Sequence, residues 1–140
     1  MPKATVIISF YNKIDYLRLV LAGFESQTEK DFEVIVADDG SRDEVVSQLK
    51  EMTGRLPFDL THIWQEDKGF RKNRILNKAV AASKADYLIF VDGDCVPHRE
   101  FVKEHYSNRV ENVCFTGRRV NLSEKMTSRL TEEKIKKGFF

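Results

Sequence analysis

The feature that most restricts the fold of this 140-residue chain is an unbroken apolar run, residues 87–91, that stops at Asp92-Gly93-Asp94. A run of this length without polar alternation is typical of a strand covered on both faces, as in the middle of a parallel sheet. Open α/β sheets bind their ligands at the carboxyl ends of such strands. We therefore expect residues 87–91 at the centre of a sheet, with a ligand beside the two aspartates.

The carboxylates of Asp92 and Asp94 suit a divalent cation. At a buried strand end they would repel each other unless positive charge compensates them, and hard cations take oxygen ligands of this kind. Gly93 permits a sharp turn and a close approach to a ligand. A plain turn explains the same tripeptide equally well, since Asp and Gly are common turn residues.

Composition excludes several classes of protein. The chain has the length of one domain, and 41% apolar residues can supply a core. Its 23 basic and 22 acidic residues leave a net charge of +1, which predicts no nucleic-acid partner. With two cysteines, no signal peptide and no apolar run long enough to span a bilayer, we expect a cytoplasmic setting in which Cys95 and Cys114 are reduced and buried.

Strand and helix patterns alternate along the chain, which predicts a mostly parallel, doubly wound, Rossmann-like α/β sheet with helices on both faces. Asn12 is expected to cap the first helix, and Ser41 with Glu44 to cap the second. The predicted strands cover residues 4–10, 32–37, 60–65, 87–91 and 113–120. The predicted helices cover residues 14–26, 43–52, 71–83 and 100–108.

Each of the first four predicted strands ends in polar residues, and this recurrence is more specific than any one motif. Because parallel strands end at one edge of a sheet, these side chains should lie close together. Tyr11 offers a flat face on which a base could stack, and Asp39 could accept the N–H of a uracil or similar ring. The polar ends are Ser9-Phe10-Tyr11-Asn12, Asp38-Asp39, Gln65-Glu66-Asp67 and Asp92-Gly93-Asp94.

Three basic residues, Arg71, Lys72 and Arg74, begin a predicted helix at the same edge. Positive charge and free N–H groups at a helix start suit a diphosphate. Because a basic first turn opposes the helix dipole, these charges are expected to serve an anionic ligand. For any one of them alone, a solvated helix face is the simpler explanation.

The sequence resembles the N-terminal, nucleotide-binding part of family 2 glycosyltransferases of the GT-A fold over nearly its whole length. The motifs that carry the resemblance are residues 6–13 (Val-Ile-Ile-Ser-Phe-Tyr-Asn-Lys), Ser26-Gln27-Thr28, residues 31–41 and the aspartate-x-aspartate at 92–94. Residues 68–77, followed by 92–98, are similar to the subgroup that includes chondroitin polymerases and β1,4-galactosyltransferases. Those enzymes transfer hexoses from UDP-sugars with inversion.

The resemblance implies roles for individual residues. Tyr11 would stack on uracil, Asp39 would pair with it, and Asp38 would be a structural neighbour. Asp94 would ligate Mn²⁺ or Mg²⁺, while Asp92 would bind the ribose, or the metal through water. Arg71 and Arg74 would contact the diphosphate or ribose, although Leu76 stands where many members have an arginine. The full set assigned to the donor is Ser9, Phe10, Tyr11, Asn12, Asp39, Gln65, Gly69, Arg71, Arg74, Asp92 and Gly93.

The implied reaction is a direct displacement at the anomeric carbon of a UDP-sugar, with a saccharide or other glycan hydroxyl as acceptor. A carboxylate would deprotonate that hydroxyl. No carboxylate stands in the family's motif for the base, which leaves Glu66 and Asp67 as weak candidates. We expect residues 1–122 to form the nucleotide-sugar-binding core. Residues 123–140 would begin an incomplete acceptor-side segment. The missing parts of that segment could attach the protein to the inner face of the membrane. Its apolar end, Phe139-Phe140, would favour self-association.

Three other classes of protein were weighed. A haloacid-dehalogenase-type phosphatase also uses an aspartate-x-aspartate after an apolar strand, but there the motif ends the first strand of the domain. A dinucleotide-binding oxidoreductase needs glycines between the first strand and its helix, and residues 9–13 hold none. A non-catalytic nucleotide-sugar-binding domain stays open, because loss of the base would leave binding intact.

Overall fold

The computed structural model describes residues 1–138, which contain a four-stranded sheet and six helices. The alternation of strands and helices that the sequence predicts is confirmed as far as the fourth helix. The strands are β1 (Ala4–Phe10), β2 (Phe32–Asp38), β3 (Leu60–Trp64) and β4 (Leu88–Asp92). The helices are α1 (Ile14–Glu25), α2 (Asp43–Thr53), α3 (Lys72–Ala82), α4 (Phe101–Ser107), α5 (Glu124–Thr127) and α6 (Glu132–Lys136).

All four strands are parallel, in the order β3-β2-β1-β4, so the predicted parallel α/β sheet is confirmed. Alternate residues of a strand point to opposite faces, and each face has its own core. On one face Val6 and Ile8 of β1 pack in a cluster with residues of α1, α2 and α4. On the other, Ile7 packs in a cluster with Ile75 and Ala79 of α3. The pairing registers of these parallel strands place the carboxyl ends of β2 and β4 on either side of the carboxyl end of β1.

The strand that was expected at the centre of the sheet, β4, lies at its edge, and β1 is central. Within residues 1–138 no strand pairs with the outer side of β4, and its Phe90 is 54% exposed. Residues 113–120, predicted as a further strand, are irregular and exposed. An apolar run indicates which faces avoid water, but it does not reveal how many strands lie beside it. The segment 113–120 also contains Gly117, which favours a strand poorly.

The predicted helix caps are wrong. Asn12 and Ser41 do not cap α1 and α2, and instead form hydrogen bonds that link the end of β1 to the end of β2. α1 and α2 begin after Lys13 and Arg42, neither of which makes a side-chain cap. The backbone N–H of Asn12 donates to Ser41 Oγ at 2.8 Å, and the N–H of Arg42 donates to Asn12 Oδ1 at 2.9 Å. Asn12 has a φ of 58°, which asparagine tolerates better than most residues.

Gln27 ties the segment after β4 to the end of α1. Its side-chain amide donates to the carbonyls of Gly23 and His98 at 3.0 and 2.8 Å, and its carbonyl accepts the N–H of Val102 at 2.9 Å. The same segment packs closely on the helix, since a Cβ at Gly23 would lie 2.7 Å from Pro97 Cδ. These contacts fix the backbone that follows the second aspartate of the motif.

The C-terminal residues, in which the sequence shows no obvious core face, form the short helices α5 and α6. Ile135 of α6 is only 3% exposed, and Lys136 Nζ lies 2.7 Å from a carboxylate oxygen of Glu25 on α1. Phe139 and Phe140 lie outside the described residues, and the boundary at residue 122 stays a prediction.

Two sequence-based expectations concern the surroundings of the protein. Both cysteines are free, as predicted, but Cys95 is half-buried and Cys114 is exposed, so their predicted burial is wrong. Cys114 lies in the irregular segment that was mistaken for a strand, which explains the error. No helix in the described part of the chain has the length and apolar character that crossing a bilayer requires. Cytoplasmic location, attachment to a membrane surface, self-association and the lack of a nucleic-acid partner stay predictions.

Candidate functional site

A cavity of about 480 Å³ opens at the carboxyl edge of the sheet, and we call it the strand-end cavity. The ends of β1, β2 and β4 contribute to it, together with the starts of α1 and α3 and the loop after β3. Residues named from the sequence that line it are Ser9, Phe10, Tyr11, Asp39, Asp67, Gly69, Asp92, Gly93 and Asp94. Lining residues that were not assigned to the site are Lys13, Tyr16, Ala37, Phe70, Lys72 and Ile75.

Of the three basic residues predicted at this edge, Lys72 reaches the strand-end cavity, whereas Arg71 and Arg74 are not among its lining residues. The guanidinium of Arg71 donates to the backbone carbonyl of Glu66, and Arg74 is exposed. The helical period separates Lys72 from Arg74, because Lys72 lies three residues before the buried Ile75 and shares its face of α3, whereas Arg74 lies one residue before it. Arg71 stands just before the helix, and its contact with Glu66 holds it away. Diphosphate contacts by Arg71 and Arg74 stay predictions.

Asp38 shapes the turn at the end of β2. Its side chain is fully buried, and one carboxylate oxygen accepts the N–H groups of Gly40 and Ser41 at 3.2 and 2.8 Å. The other oxygen lies 2.9 Å from His62 Nε2. With every oxygen of Asp38 engaged inside the protein, its part is structural, as the resemblance implied.

Asp39 is 7% exposed and lies at the end of the cavity that β2 forms. Its Oδ1 accepts Gln65 Nε2 at 2.6 Å, and its Oδ2 accepts the backbone N–H of Arg71 at 2.7 Å. A carboxylate can accept about four hydrogen bonds, so capacity remains for a donor in the cavity. Gln65 Oε1 is buried and has no hydrogen-bond partner among residues 1–138. Asp39 is thus the acceptor available to an N–H group at this end, since Gln65 and Asn12 do not line the cavity.

Tyr11 and Asp67 connect the end of β1 to the loop after β3. Tyr11 is 48% exposed, and its hydroxyl donates to Asp67 Oδ2 at 2.9 Å. This hydrogen bond to a carboxylate raises the pKa of Tyr11, so the phenol stays protonated. Asp67 Oδ1 accepts the N–H of Gly69 at 3.1 Å, and the next residue, Phe70, is 90% exposed beside the cavity. The ring of Tyr11 is therefore held by its hydroxyl while its face stays accessible.

Asp92 lies opposite Ser9 in the β1–β4 register. Its Oδ1 accepts two donors, Lys72 Nζ at 2.6 Å and Ser9 Oγ at 2.8 Å. The hydrogen bond from Lys72, followed by that from Ser9, lowers the pKa of Asp92, which keeps the carboxylate charged. The glycine that follows is required by a close approach, since a Cβ at Gly93 would lie 2.9 Å from the carbonyl oxygen of Ser9.

The residues at the end of β4 fit a hard divalent cation. One ligand atom each from Asp92, Asp94 and Cys95 can lie within 4.8 Å of the others. Burial, and then the hydrogen bond to Asp94, raise the pKa of the Cys95 thiol, so its sulfur stays protonated and is a poor ligand. The two carboxylates that remain are the oxygen ligands that Mn²⁺ and Mg²⁺ favour. Asp92 and Asp94 would hold the ion.

Comparison with known proteins agrees with the fold and the motifs. The sequence model described as Glycosyl transferase family 2 matches residues 5–138. The uncharacterized glycosyltransferase YfnE of Bacillus subtilis is 36% identical over 104 residues, which are 74% of this chain and 26% of YfnE. Chondroitin synthase of Escherichia coli is 30% identical over 102 residues, which are 72% of this chain and 15% of that protein. The similarity to chondroitin polymerases is therefore confirmed.

Solved structures extend the comparison to the fold. S. aureus TarS superposes with a TM-score of 0.63 at 25% identity, over 75% of this chain and 19% of TarS. The mannosyltransferase PcManGT of Pyrobaculum calidifontis, in complex with GDP-Man and Mn²⁺, superposes with a TM-score of 0.57 at 28% identity, over 70% of this chain and 29% of PcManGT.

The chain thus spans less than a third of the length of each of these four proteins. The sheet shared with the solved structures confirms the predicted GT-A type of fold. A family match over residues 5–138 also rules out the phosphatase and oxidoreductase alternatives. The chain belongs to glycosyl transferase family 2.

Proposed function

We propose that the chain binds the donor in a metal-dependent glycosyltransferase that transfers a hexose from a UDP-sugar, with inversion, to a saccharide or other glycan hydroxyl. The observation that carries the proposal is the placement of Asp39 and Asp92 in one cavity, at the ends of strands on either side of β1. Neighbouring strands lie about 4.8 Å apart, so these two ends are separated by roughly 10 Å. A nucleoside diphosphate could extend from one to the other.

The end of the cavity at β2 supports recognition of uracil. Asp39 has acceptor capacity left after its two internal hydrogen bonds, and the nearby Gln65 Oε1 is buried without a partner among the described residues. A ring N–H could be accepted here, while the accessible face of Tyr11 could stack on the ring. A base that presents no matching N–H would leave buried acceptors unsatisfied.

The end of the cavity at β4 supports binding of the diphosphate. Asp92 and Asp94 would hold Mn²⁺ or Mg²⁺, which when bound offsets the negative charge that develops on the departing UDP. PcManGT, whose structure contains Mn²⁺ and GDP-Man, supports such an arrangement in this fold. Lys13 and Lys72 line the same cavity and add positive charge. The chain itself would therefore supply both the carboxylates that bind the ion and the ammonium groups that bind the phosphates.

Neither candidate for the general base is well placed. Glu66 does not line the cavity and pairs with Lys68 at 2.8 Å. Asp67 does line it, but its two oxygens accept Tyr11 and Gly69. Since a general base contributes about 10²–10⁴ in rate, we expect the 140-residue chain to bind donor but to transfer sugar slowly. The same observation favours a second candidate function, a nucleotide-sugar-binding domain without catalysis.

Isothermal titration with UDP, with and without Mn²⁺, tests the donor site. We expect Mn²⁺ to tighten UDP binding to the wild type, and Asp94→Asn to remove that effect, because the ion loses a charged oxygen ligand. Asp86→Asn is a matched control, since Asp86 is exposed and does not line the cavity. If Asp94→Asn keeps the full effect of Mn²⁺, the ion binds elsewhere.

A second assay separates catalysis from binding. UDP release from UDP-sugars is followed with a panel of saccharide acceptors, for the wild type and for Asp67→Asn. We expect slow release that Asp67→Asn changes little. Rapid, acceptor-dependent release that Asp67→Asn abolishes would show that the base lies in this chain.

A further inference from the structure

We propose that Lys72 occupies the place of the divalent cation beside Asp92 before the ion binds, and that the ion and Lys72 compete for this carboxylate. The inference deepens the proposed donor site and rests on it. Lys72 would then have two positions, one on Asp92 and one on the diphosphate. When the ion binds Asp92, the ammonium group of Lys72 would move to the diphosphate of the donor.

The geometry of the contact is the first argument. Lys72 Nζ lies 2.6 Å from Asp92 Oδ1, and Ser9 Oγ donates to the same oxygen at 2.8 Å. Both lone pairs of Oδ1 are thus engaged, so an ion can ligate this oxygen only if one donor leaves. An ion on Oδ2 of the same carboxylate would lie close to the ammonium, and the two positive charges would repel each other. Ser9 is held in the β1–β4 register opposite Asp92, whereas the lysine side chain is long and can rotate. The ammonium group is therefore the donor that gives way.

The charge of the cavity is the second argument. Four carboxylates line it, from Asp39, Asp67, Asp92 and Asp94, and two ammonium groups, from Lys13 and Lys72. The difference is two negative charges (2 − 4 = −2), before a diphosphate adds more. A donor can enter only if this excess is offset, and the ammonium in contact with Asp92 is placed to do so. The positive end of the α3 dipole, where Lys72 begins the helix, acts in the same direction.

The exposure of the Lys72–Asp92 pair is the third argument. Its side chain is 35% exposed and that of Asp92 is 47% exposed, so the pair lies at the solvent boundary rather than in the core. Exposed ion pairs are weak and exchange readily. A divalent ion at Asp92 and Asp94 can therefore displace the ammonium at modest cost. The released Nζ remains inside the strand-end cavity, where a bound diphosphate would offer it anionic oxygens beside the carboxylates that line the cavity.

Competition predicts that removing the charge of Lys72 has opposite effects on two ligands. In Lys72→Met, Mn²⁺ alone should bind roughly tenfold more tightly, because no ammonium has to leave Asp92. UDP without metal should bind roughly tenfold more weakly, because the diphosphate loses the ammonium. Each effect corresponds to about one charge-assisted hydrogen bond. Methionine keeps most of the length of the side chain. Lys72→Gln, which retains a hydrogen-bond donor without charge, is measured in the same way in case the methionine variant folds poorly.

The experiment titrates Mn²⁺ without nucleotide, with free Mn²⁺ measured by electron paramagnetic resonance, and UDP in the presence of a chelator, measured by calorimetry. Lys78→Met is the matched control, because Lys78 is exposed on the same helix and does not line the cavity. Lys72→Arg, which keeps the charge, should stay close to the wild type in both titrations. Thermal unfolding verifies that each variant is folded.

The two titrations distinguish the inference from the proposed function. Unchanged or weaker Mn²⁺ binding in both neutral Lys72 variants overturns the competition, as does the absence of Mn²⁺ binding to every protein tested. Wild-type protein that binds Mn²⁺ but no UDP, with or without metal, overturns the donor site instead. An equal response of Lys78→Met would assign the effect to net charge and would likewise overturn the inference.

Discussion

Gln27→Leu should destabilise the protein and also weaken its cation site. The substitution keeps a side chain of similar size but removes every hydrogen bond that the side chain of Gln27 makes. The N–H of Val102, which lies in a buried contact with Gln27, and the partly buried carbonyl of His98 would each lose a partner at 2.9 and 2.8 Å. These two groups belong to the segment that follows Asp94. The perturbation therefore acts on the backbone that positions the second carboxylate.

The expected loss follows from these contacts. An unsatisfied buried polar group costs about 1–3 kcal/mol, so two such groups cost about 2–6 kcal/mol. The apolar surface of leucine offsets part of this, at about 25 cal/mol per Å² buried. We expect a net loss of about 1–4 kcal/mol, which is a large fraction of a typical stability of about 5–15 kcal/mol.

Urea denaturation followed by circular dichroism measures the loss. Thr28→Val is the control, because Thr28 is exposed and its hydroxyl contact with the Arg99 carbonyl is long, at 3.5 Å. The control should change stability by less than about 0.5 kcal/mol. In the folded part of the Gln27→Leu sample, Mn²⁺ should tighten UDP binding less than in the wild type. Equal stability of the two variants would refute the reasoning, since the amide would then contribute nothing beyond its volume.

Three further predictions test other contacts. Gly23→Ala should lower the stability measured by urea denaturation, because overpacking against Pro97 costs about 1–3 kcal/mol and outweighs the gain of about 1 kcal/mol in helix propensity. The control Gly54→Ala should be neutral or stabilising, because no heavy atom lies within 4 Å of the added Cβ. Equal stability of the two variants would contradict the close packing of Gly23 on Pro97. Calorimetry should show tighter binding of UDP than of ADP, a preference that Asp39→Asn reduces, whereas equal affinities in the wild type would count against base recognition by Asp39. The hydrogen bonds from Lys72 and Ser9 lower the pKa of Asp92 below 3.8, so the stability that they contribute is present above that pH and is lost as pH falls through the lowered pKa. The difference in urea midpoint between the wild type and Lys72→Met should therefore shrink on acidification. A constant difference would show that the charge on Asp92 is not the source of the difference.

Local patterns predicted the elements of this fold well, and long-range contacts account for what they missed. Strands β1 and β2 are recognisable because β-branched residues are buried on both of their faces, as Ile7 and Ile8 of β1 show. The position of a strand within the sheet depends on partners far along the chain, which is why β4 was expected at the centre. Ser41 looked like a helix cap because its sequence neighbours suggested one, yet its hydroxyl accepts the N–H of Asn12, 29 residues away.

The candidate site shows the same division. The aspartates were found because each follows a strand, and strand ends meet at one edge whatever the details of packing. The sequence pointed to three basic residues together and the family resemblance to Arg71 and Arg74, but the start and the rotation of α3 decide that Lys72 enters the cavity. Gln27 belongs to a motif that the sequence revealed, but its partner Val102 is 75 residues away, so its structural role required coordinates.

The central position of β1 has a consequence for the order in which the chain folds. Pairing of β1 with β2 joins residues 28 apart, as in the contact of Thr5 with Glu33, whereas pairing with β4 joins Ser9 to Asp92, 83 residues apart. Closing the longer loop costs about 1 kcal/mol more in chain entropy, and distant pairings form more slowly. We expect the wall of the cavity that contains Asp39 to form first and the wall with Asp92 to close last. In pulse-labelled hydrogen exchange, amides of β2 should then gain protection before those of β4, and the reverse order would contradict this sequence of events.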